Sequence, residues 1–584
     1  MDDRAAIETL LDCSAPPHLR RPGSVRCVVP EHRLVTSWAR RYRDDGLWRG
    51  VALGDAFART VAQRGDATML VDGDDEISFR VLEQRVVAFA DGLARRGVGQ
   101  GDAVAYQLPN WWEAAVAFLA TVRLGAHAVP IVPILRAREV TVILRQTHPR
   151  AIVVPARFRN VDFVAQTREV LRALGDLDPL LVVARGAASE DARAVRFADV
   201  CDDLEGVAAP ASAPAAARVD ASTLALVIYT SGSTAEPKGA LHSHDTLTAE
   251  IDSLVDAHGL GATDRVLMPS PLTHVSGVIH GILAPALLGT SAVLQERWDP
   301  AAGIAAIERH GVTYMVGAPT FLQEMLASPA LSAHDVTSLR LFSCGGASVA
   351  PELMRLGRAR IPGMVTKRSY GSSEFPTIAT TGIEDALARG LDTEGRALRG
   401  VELRVTDESG LPLDTGHEGE IRARGPECFL GYVDASLDAD AFDADGFFRT
   451  GDLGVLDADG YLRVTGRVKD IIVRKGEKIS AREVEDLLLE HPEIVDAALI
   501  PLADPATGER ACACVQLAHD AAPLTLDALV AFLRARDLTP QKLPEQLELV
   551  DDFPRTPSGK INKRLLRDAI ERRVAAHAEK NEGG

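Results

Sequence analysis

The sequence predicts an α/β protein in two parts. One is a large N-terminal domain of mixed and parallel sheets flanked by helices; the other is a small α+β domain at the C-terminal end. Helix and strand periodicities alternate from about residue 51, and such units pack as a mostly parallel sheet covered on both faces. A charged stretch, Gly466-Arg467-Val468-Lys469-Asp470, separates that run from a shorter one. The 584 residues suffice for one large core and a second, smaller one.

Residues 1–50 show weak periodicity and read as an N-terminal extension. Their start, MDDRAAIETLLDC, is acidic and lacks the apolar run of a secretory leader. ISFRVLEQRVVAFADGLARRGV then reads as a short strand and an amphipathic helix, and DAVAYQLP as a strand. WWEAAVAFLATVRLG is a helix closed by Gly125, and AHAVPI a further strand. GVAAPASAPAAAR, residues 206–218, is an Ala/Pro-rich surface loop. Residues 274–294 carry no formal charge over a span that could cross a bilayer. Two histidines, Pro285 and three glycines make this a buried helix, a turn at Gly289-Thr290 and a short strand instead. In the smaller run, Ser480-Ala481-Arg482-Glu483 forms a capping box for the helix AREVEDLLLEH. VDAALIPL and ACACVQL are strands there, and LDALVAFLRAR a helix. The domains expected are 51–468 and 469–570, with 571–584 as a tail.

The net charge of −18 disfavours a nucleic-acid partner, although a small anion needs only a local positive site. The seven cysteines offer one C-x-C pair, Cys512 and Cys514, and no metal-spaced partner for it. Unpaired thiols in a reduced, cytoplasmic compartment are expected.

Behind the apolar run LALVI stands YTSGSTAEPKG, residues 229–239. Its glycines let the backbone approach a phosphate, and its amides, hydroxyls and Lys238 can meet anionic oxygens. It is not a Walker A loop, because Lys238 is followed by Gly239 and preceded by Pro237. Alone, it is equally an ordinary polar turn after a buried strand.

Further motifs follow in order: PLTHVSG (271–277), CGGA (344–347), YGSSE (370–374), RTGD (449–452), GRVKDIIVRKGEKI (466–479) and PRTPSGK (554–560). Together with the loop they resemble the AMP-forming adenylating enzymes, the superfamily of acyl-CoA synthetases, peptide-synthetase adenylation domains and beetle luciferase. The resemblance covers about residues 50–570. PILRAREVTVIL (133–144) is similar to the subgroup holding cyclohexanecarboxylate–CoA ligases and short- to medium-chain acyl-CoA synthetases.

The resemblance implies ATP, Mg2+ and coenzyme A as cofactors, and a mobile small domain. Thr230, Ser231, Gly232, Ser233, Thr234 and Lys238 would hold the triphosphate, with Glu374 and Thr230 on the metal. Gly345, Gly346, Ala347, Tyr370, Gly371 and Ser373 would frame the adenine end, with Tyr370 stacked on the base. Asp452 and Arg467 would take the ribose, and His274 would stand at the mouth of the acyl pocket. Lys560 would be the catalytic cation, reaching the carboxylate and the α-phosphate. PRTPSGK also resembles sites of reversible lysine acetylation, which would remove that charge. Rotation about Lys469 would then bring another face of the small domain to the site. Gly476 would line a pantetheine tunnel, with Lys475 and Lys478 near CoA phosphates or, for Lys478, the adenylate.

Several positions depart from the family pattern: Ala235 for glycine, Ser233 and Ser373 for threonine, Lys478 for Asn or Arg, and Ala481 for proline. None removes a required group. PLTHVSGVIHG offers no acid to hold an ammonium, and a buried ammonium without a partner is costly, so α-amino acids are disfavoured. Gly277, Gly281, Gly317 and Ala318 are expected to leave room for a medium-chain, alicyclic or aromatic acid. Alternatives are a ligase that loads an acyl carrier protein, a luciferase-like oxygenase and a non-catalytic nucleotide-binding protein. A monomer or homodimer with no membrane span is expected.

Overall fold

A computed structural model describes residues 37–186, 194–202, 219–230, 236–347, 349–474, 477–504, 508–519, 521–555 and 560–582. The Ala/Pro-rich stretch 206–218 lies outside them. Two large sheets carry most of the chain. The nine-stranded sheet has six parallel strands at its centre, from Val365–Tyr370 through Leu341–Gly345, Tyr314–Gly317, Arg265–Met268 and Ser291–Leu294 to Thr68–Asp72. Antiparallel strands close both of its edges. The seven-stranded sheet is parallel except for Lys238–Ser243, which turns back along Leu224–Thr230 at one edge.

Ala103–Tyr106, His127–Pro130 and Ala151–Pro155 are buried along their whole length, as continuous apolar strands covered on both faces should be. A single apolar core joins the sheets, running from Leu70 through Phe118 to Val104. Phe118 belongs to the helix Trp112–Arg123, which is buried nearly all round. That helix ends as its sequence indicates, with Gly125 at φ +69°. Ser78 caps the helix Phe79–Arg95 by accepting from the Val81 amide.

The stretch read as one buried helix is less regular. It forms helix at Val275–Gly277, a π turn at Val278–Leu283 and helix again at Ala284–Leu288, before the strand Ser291–Leu294. Pro285 has no amide to give and its ring would press on the carbonyl four residues back. The widened turn, in which the Ala284 amide donates to the Ile279 carbonyl, relieves both conflicts. No helix among the described residues is long and apolar enough to cross a membrane.

From residue 37 the N-terminal segment docks onto the large sheets. The helix Ser37–Asp44 and Trp48 form an apolar cluster with Ala249, and the Trp48 indole donates to the Pro426 carbonyl at 2.9 Å.

A four-stranded antiparallel sheet follows, Glu402–Thr406, Glu418–Arg424, Phe448–Leu456 and Leu462–Arg467. Its register sets Asp452 opposite Arg467. After the 3-10 turn Val468–Asp470 comes a five-stranded sheet with the helices Ala481–Leu488, Leu526–Arg534 and Lys563–Glu582. Ser480 caps the first of these helices, accepting from the Glu483 amide. Cys512 and Cys514 are buried free thiols packed with Phe553, Leu566 and Ile570. The described residues contain no cluster fit to hold a metal through His, Cys, Asp or Glu alone.

Candidate active site

The motif YTSGSTAEPKG connects two antiparallel strands, Leu224–Thr230 and Lys238–Ser243. Thr230 pairs with Lys238 across it, so the strand ahead of the loop and the strand behind it hold both residues at one level. The Lys238 ammonium lies 5.5 Å from the centre of the Tyr432 ring. The Tyr432 hydroxyl donates to Glu374 Oε1 at 2.8 Å. Glu374 follows the strand Val365–Tyr370 through a tight turn. Gly371 is required in that turn, since a Cβ there would lie 2.0 Å from the Pro376 carbonyl oxygen. His242 Nε2 donates to the Ser373 carbonyl at 2.8 Å and braces the same turn. Burial lowers the His242 pKa to about 4, so the ring is neutral.

Asp452 gathers two partners. Tyr370 donates its hydroxyl to Oδ2 at 2.8 Å, and Arg467 Nε lies 2.8 Å from Oδ1. Next to this pair, the strand Leu341–Gly345 ends at Gly346, whose φ of +79° favours glycine. The Lys560 side chain lies against Gly346: a Cβ at Gly346 would be 3.3 Å from Lys560 Cε and 3.8 Å from Nζ. Lys560 comes from beyond the five-stranded sheet, and so the site draws on both parts of the chain.

Cations outnumber carboxylates here. Burial, then Arg467 and Lys469, lower the Lys560 pKa to about 8 against the opposing pull of Asp452 and Glu374. Lys469, in the turn Val468–Asp470, is lowered by burial, by Arg467 and by Lys238. Arg467, Lys469 and Lys560 thus act on one another's charge, Lys469 also faces Lys238, and Glu374 and Asp452 face Lys560. A polyanion placed there would relieve their repulsion, and perturbed groups of this kind gather at functional sites.

His274 caps the helix at Val275–Gly277, with Nδ1 accepting from the Ser276 amide at 3.4 Å and 3.0 Å from its hydroxyl. Burial and the Lys560 charge push its pKa to about 4. It is a neutral ring beside the site, not a cation for a carboxylate.

The sequence-expected residues Thr230, Lys238, Gly345, Gly346, Ala347, Tyr370, Gly371, Ser373, Glu374, Asp452, Arg467, Lys469 and Lys560 lie in or border this region. Ser231, Gly232, Ser233, Thr234, Ala235, Lys475 and Gly476 fall outside the described residues, as does the side chain of Lys478. One expectation is corrected. A Cβ at Gly277 would meet the Pro271 carbonyl oxygen at 1.9 Å, one at Gly281 would meet Leu272 Cδ2 at 2.4 Å, and one at Gly317 would meet the Phe321 ring at 2.5 Å. These glycines serve close packing within the protein instead of opening a pocket. Tyr432 and His242 carry no local signal in the sequence, because their partners are remote along the chain.

The match to known proteins spans both parts of the chain. Residues 57–433 match the model of the AMP-binding enzymes, and residues 483–560 match the C-terminal domain of that family. The chain is 34% identical over 535 residues to a medium-chain fatty-acid–CoA ligase of Escherichia coli (strain K12), covering 91% of this chain and 93% of that one. It is 32% identical over 545 residues to a 2,3-dihydroxybenzoate-AMP ligase of Bacillus subtilis (strain 168), covering 93% and 98%. The ATP-bound crystal structure of MatB from Rhodopseudomonas palustris superposes with a TM-score of 0.76 at 27% identity, over 88% of this chain and 98% of that one. With its paired strands at Thr230 and Lys238, its acid–arginine pair and its late lysine, the chain belongs to the AMP-binding enzymes, adenylate-forming ligases that use ATP to activate carboxylic acids.

Proposed function

We propose that the protein joins a medium-chain, alicyclic or aromatic carboxylic acid to coenzyme A in two steps. In the first, a carboxylate oxygen attacks the α-phosphorus of ATP and pyrophosphate leaves. In the second, the CoA sulfur attacks the acyl carbonyl of the acyl-AMP and AMP leaves. The observation that carries this reading is the contact of Lys560 with Gly346, which brings an ammonium between Glu374, Asp452 and Arg467.

The first step brings two anions together, so fixed positive charge lowers its barrier most. Lys560 serves the α-phosphate and the incoming carboxylate, and Lys238 serves the outer phosphates from the hairpin. Asp452 accepts from the ribose hydroxyls, steadied by Tyr370 and Arg467. Tyr370 and the Gly345-Gly346-Ala347 backbone border the base, and Gly371 and Ser373 shape the turn beside it. Neutral His274 separates the acyl side from the phosphate side without competing for the carboxylate.

Glu374 and Thr230 suit Mg2+, since both offer hard oxygens and Glu374 Oε1 is held in place by Tyr432. Bound there, the ion would offset phosphate charge. Lys469 is the pivot on which Lys560 withdraws before thioester formation. Gly476, Lys475 and Lys478 then meet the CoA arm and its phosphates. The similarity to the medium-chain fatty-acid–CoA ligase supports CoA as acceptor. Similarity to the 2,3-dihydroxybenzoate-AMP ligase keeps a second reading, transfer to a carrier-protein thiol.

The test is mass spectrometry after incubation with ATP, Mg2+ and a panel of acids, with and without CoA. Acyl-CoA and AMP are the expected products. Acyl-AMP that persists despite CoA would move the acceptor to a carrier protein. ATP binding without any acyl product would make the chain a non-catalytic nucleotide-binding protein.

A further inference from the structure

We propose that Tyr432 is a positioning residue that orients Glu374 toward the metal–triphosphate and couples it to Lys238. This rests on the reading above, in which Glu374 holds Mg2+ and Lys238 the outer phosphates.

The segment around Tyr432 is clamped from two sides. Its backbone adds itself to the edge strand Lys238–Ser243: the Leu430 amide donates to the Leu241 carbonyl at 2.8 Å, Leu241 to Gly431 at 3.0 Å, and Val433 to Gly239 at 2.8 Å. Buried Asp438 accepts from the Tyr432 amide at 2.8 Å, and the ring of Phe429 packs at 4.9 Å. The phenol therefore has little freedom to seek another partner. The same segment grips Glu374 twice. The Phe429 amide donates to the Glu374 carbonyl at 2.8 Å, and the Tyr432 hydroxyl donates to Oε1 at 2.8 Å. One carboxylate oxygen is thereby tied to the phenol. On its other side, the ring face meets the Lys238 ammonium. One side chain thus sets the spacing between the carboxylate that takes the cation and the lysine that takes the phosphates.

Groups behind a metal ligand commonly change metal affinity when removed, by about 10-fold or more. Tyr432→Phe keeps the ring and deletes only the hydroxyl. The probe is Mn2+, titrated by electron paramagnetic resonance into the full-length chain holding a non-hydrolysable ATP analogue. Tyr432→Phe is expected to weaken Mn2+ by roughly 10-fold, while analogue binding without metal and the melting temperature stay at wild-type values. Glu374→Gln is expected to weaken Mn2+ at least as much. Unchanged Mn2+ affinity in Tyr432→Phe, with a loss in Glu374→Gln, overturns the positioning role and leaves the metal reading standing. Unchanged affinity in both overturns the metal reading and the positioning role with it. A parallel fall in melting temperature and metal-free analogue binding would make Tyr432 structural and would also overturn the proposal.

Discussion

For Lys560, proposed above as the catalytic cation, the surroundings set a working range. Its pKa is lowered to about 8, so it is a cation below that pH and loses its charge above it. The kcat/KM for adenylation should therefore fall as pH rises through about 8. Lys560→Arg, which cannot lose its charge there, should lack this limb whatever its absolute rate. Lys560→Ala should slow adenylation by roughly 10²–10³-fold, as loss of one transition-state charge donor does. Transfer from preformed acyl-AMP should suffer far less, and isotope exchange between ATP and pyrophosphate separates the two. His274 is already neutral above about pH 4, so it contributes nothing to that limb.

Among the elements, the strand Val365–Tyr370 carries an unusual tie. Lys367 is buried, its Nζ donating to the Ala257 carbonyl at 2.6 Å and the Thr381 carbonyl at 2.5 Å. Ala257 lies in the last turn of the helix His244–His258, where a cation complements the helix dipole. Burial nevertheless lowers the Lys367 pKa to about 7. The folded protein sheds this proton while the unfolded chain still holds it, so this lysine costs stability below about pH 7 and the cost recedes as pH rises. The stability of the wild type relative to Lys367→Met should therefore increase between pH 7 and 10, at no more than about 1.4 kcal/mol per pH unit. Denaturant titrations across that range check it. Local signals made many elements legible from the sequence. Ser78 and Ser480 sit next to the helices they cap, and Gly125 marks a helix end within its own stretch. The π turn was not legible, because apolar residues buried all round carry no clear period. Gly277 misled because a missing side chain signals close contact as readily as open space. Asp452 and Arg467 were readable as residues, but their meeting depends on strand register. Tyr432 was not readable at all, since it reaches Glu374 and Ala240 only through the tertiary fold.

At the scale of the whole molecule, the two parts meet through a buried ionic node. Glu394 takes Arg482 Nη2 at 2.8 Å from the small-domain helix, Arg368 Nη1 at 3.4 Å from the strand leading to Tyr370, and the Val464 amide at 2.7 Å. Ser480 adds a hydrogen bond to the Thr465 carbonyl at 2.6 Å, and Gln323 one to the Val495 carbonyl at 2.7 Å. Removing one partner of a buried pair costs about 3–5 kcal/mol. Arg482→Met should therefore disfavour the arrangement in which Lys560 meets Gly346, slowing adenylation by at least about 10-fold and sparing thioester formation. Equal loss in both half-reactions would mean that the node does not discriminate between them. The segment bearing Tyr432 also matters outside the reaction. It covers the free flank of Lys238–Ser243, the last strand of the seven-stranded sheet. An uncovered flank of that kind is a template for pairing with another chain. A lesion there would thus announce itself first as turbidity and lost yield during expression, ahead of any change in the reaction.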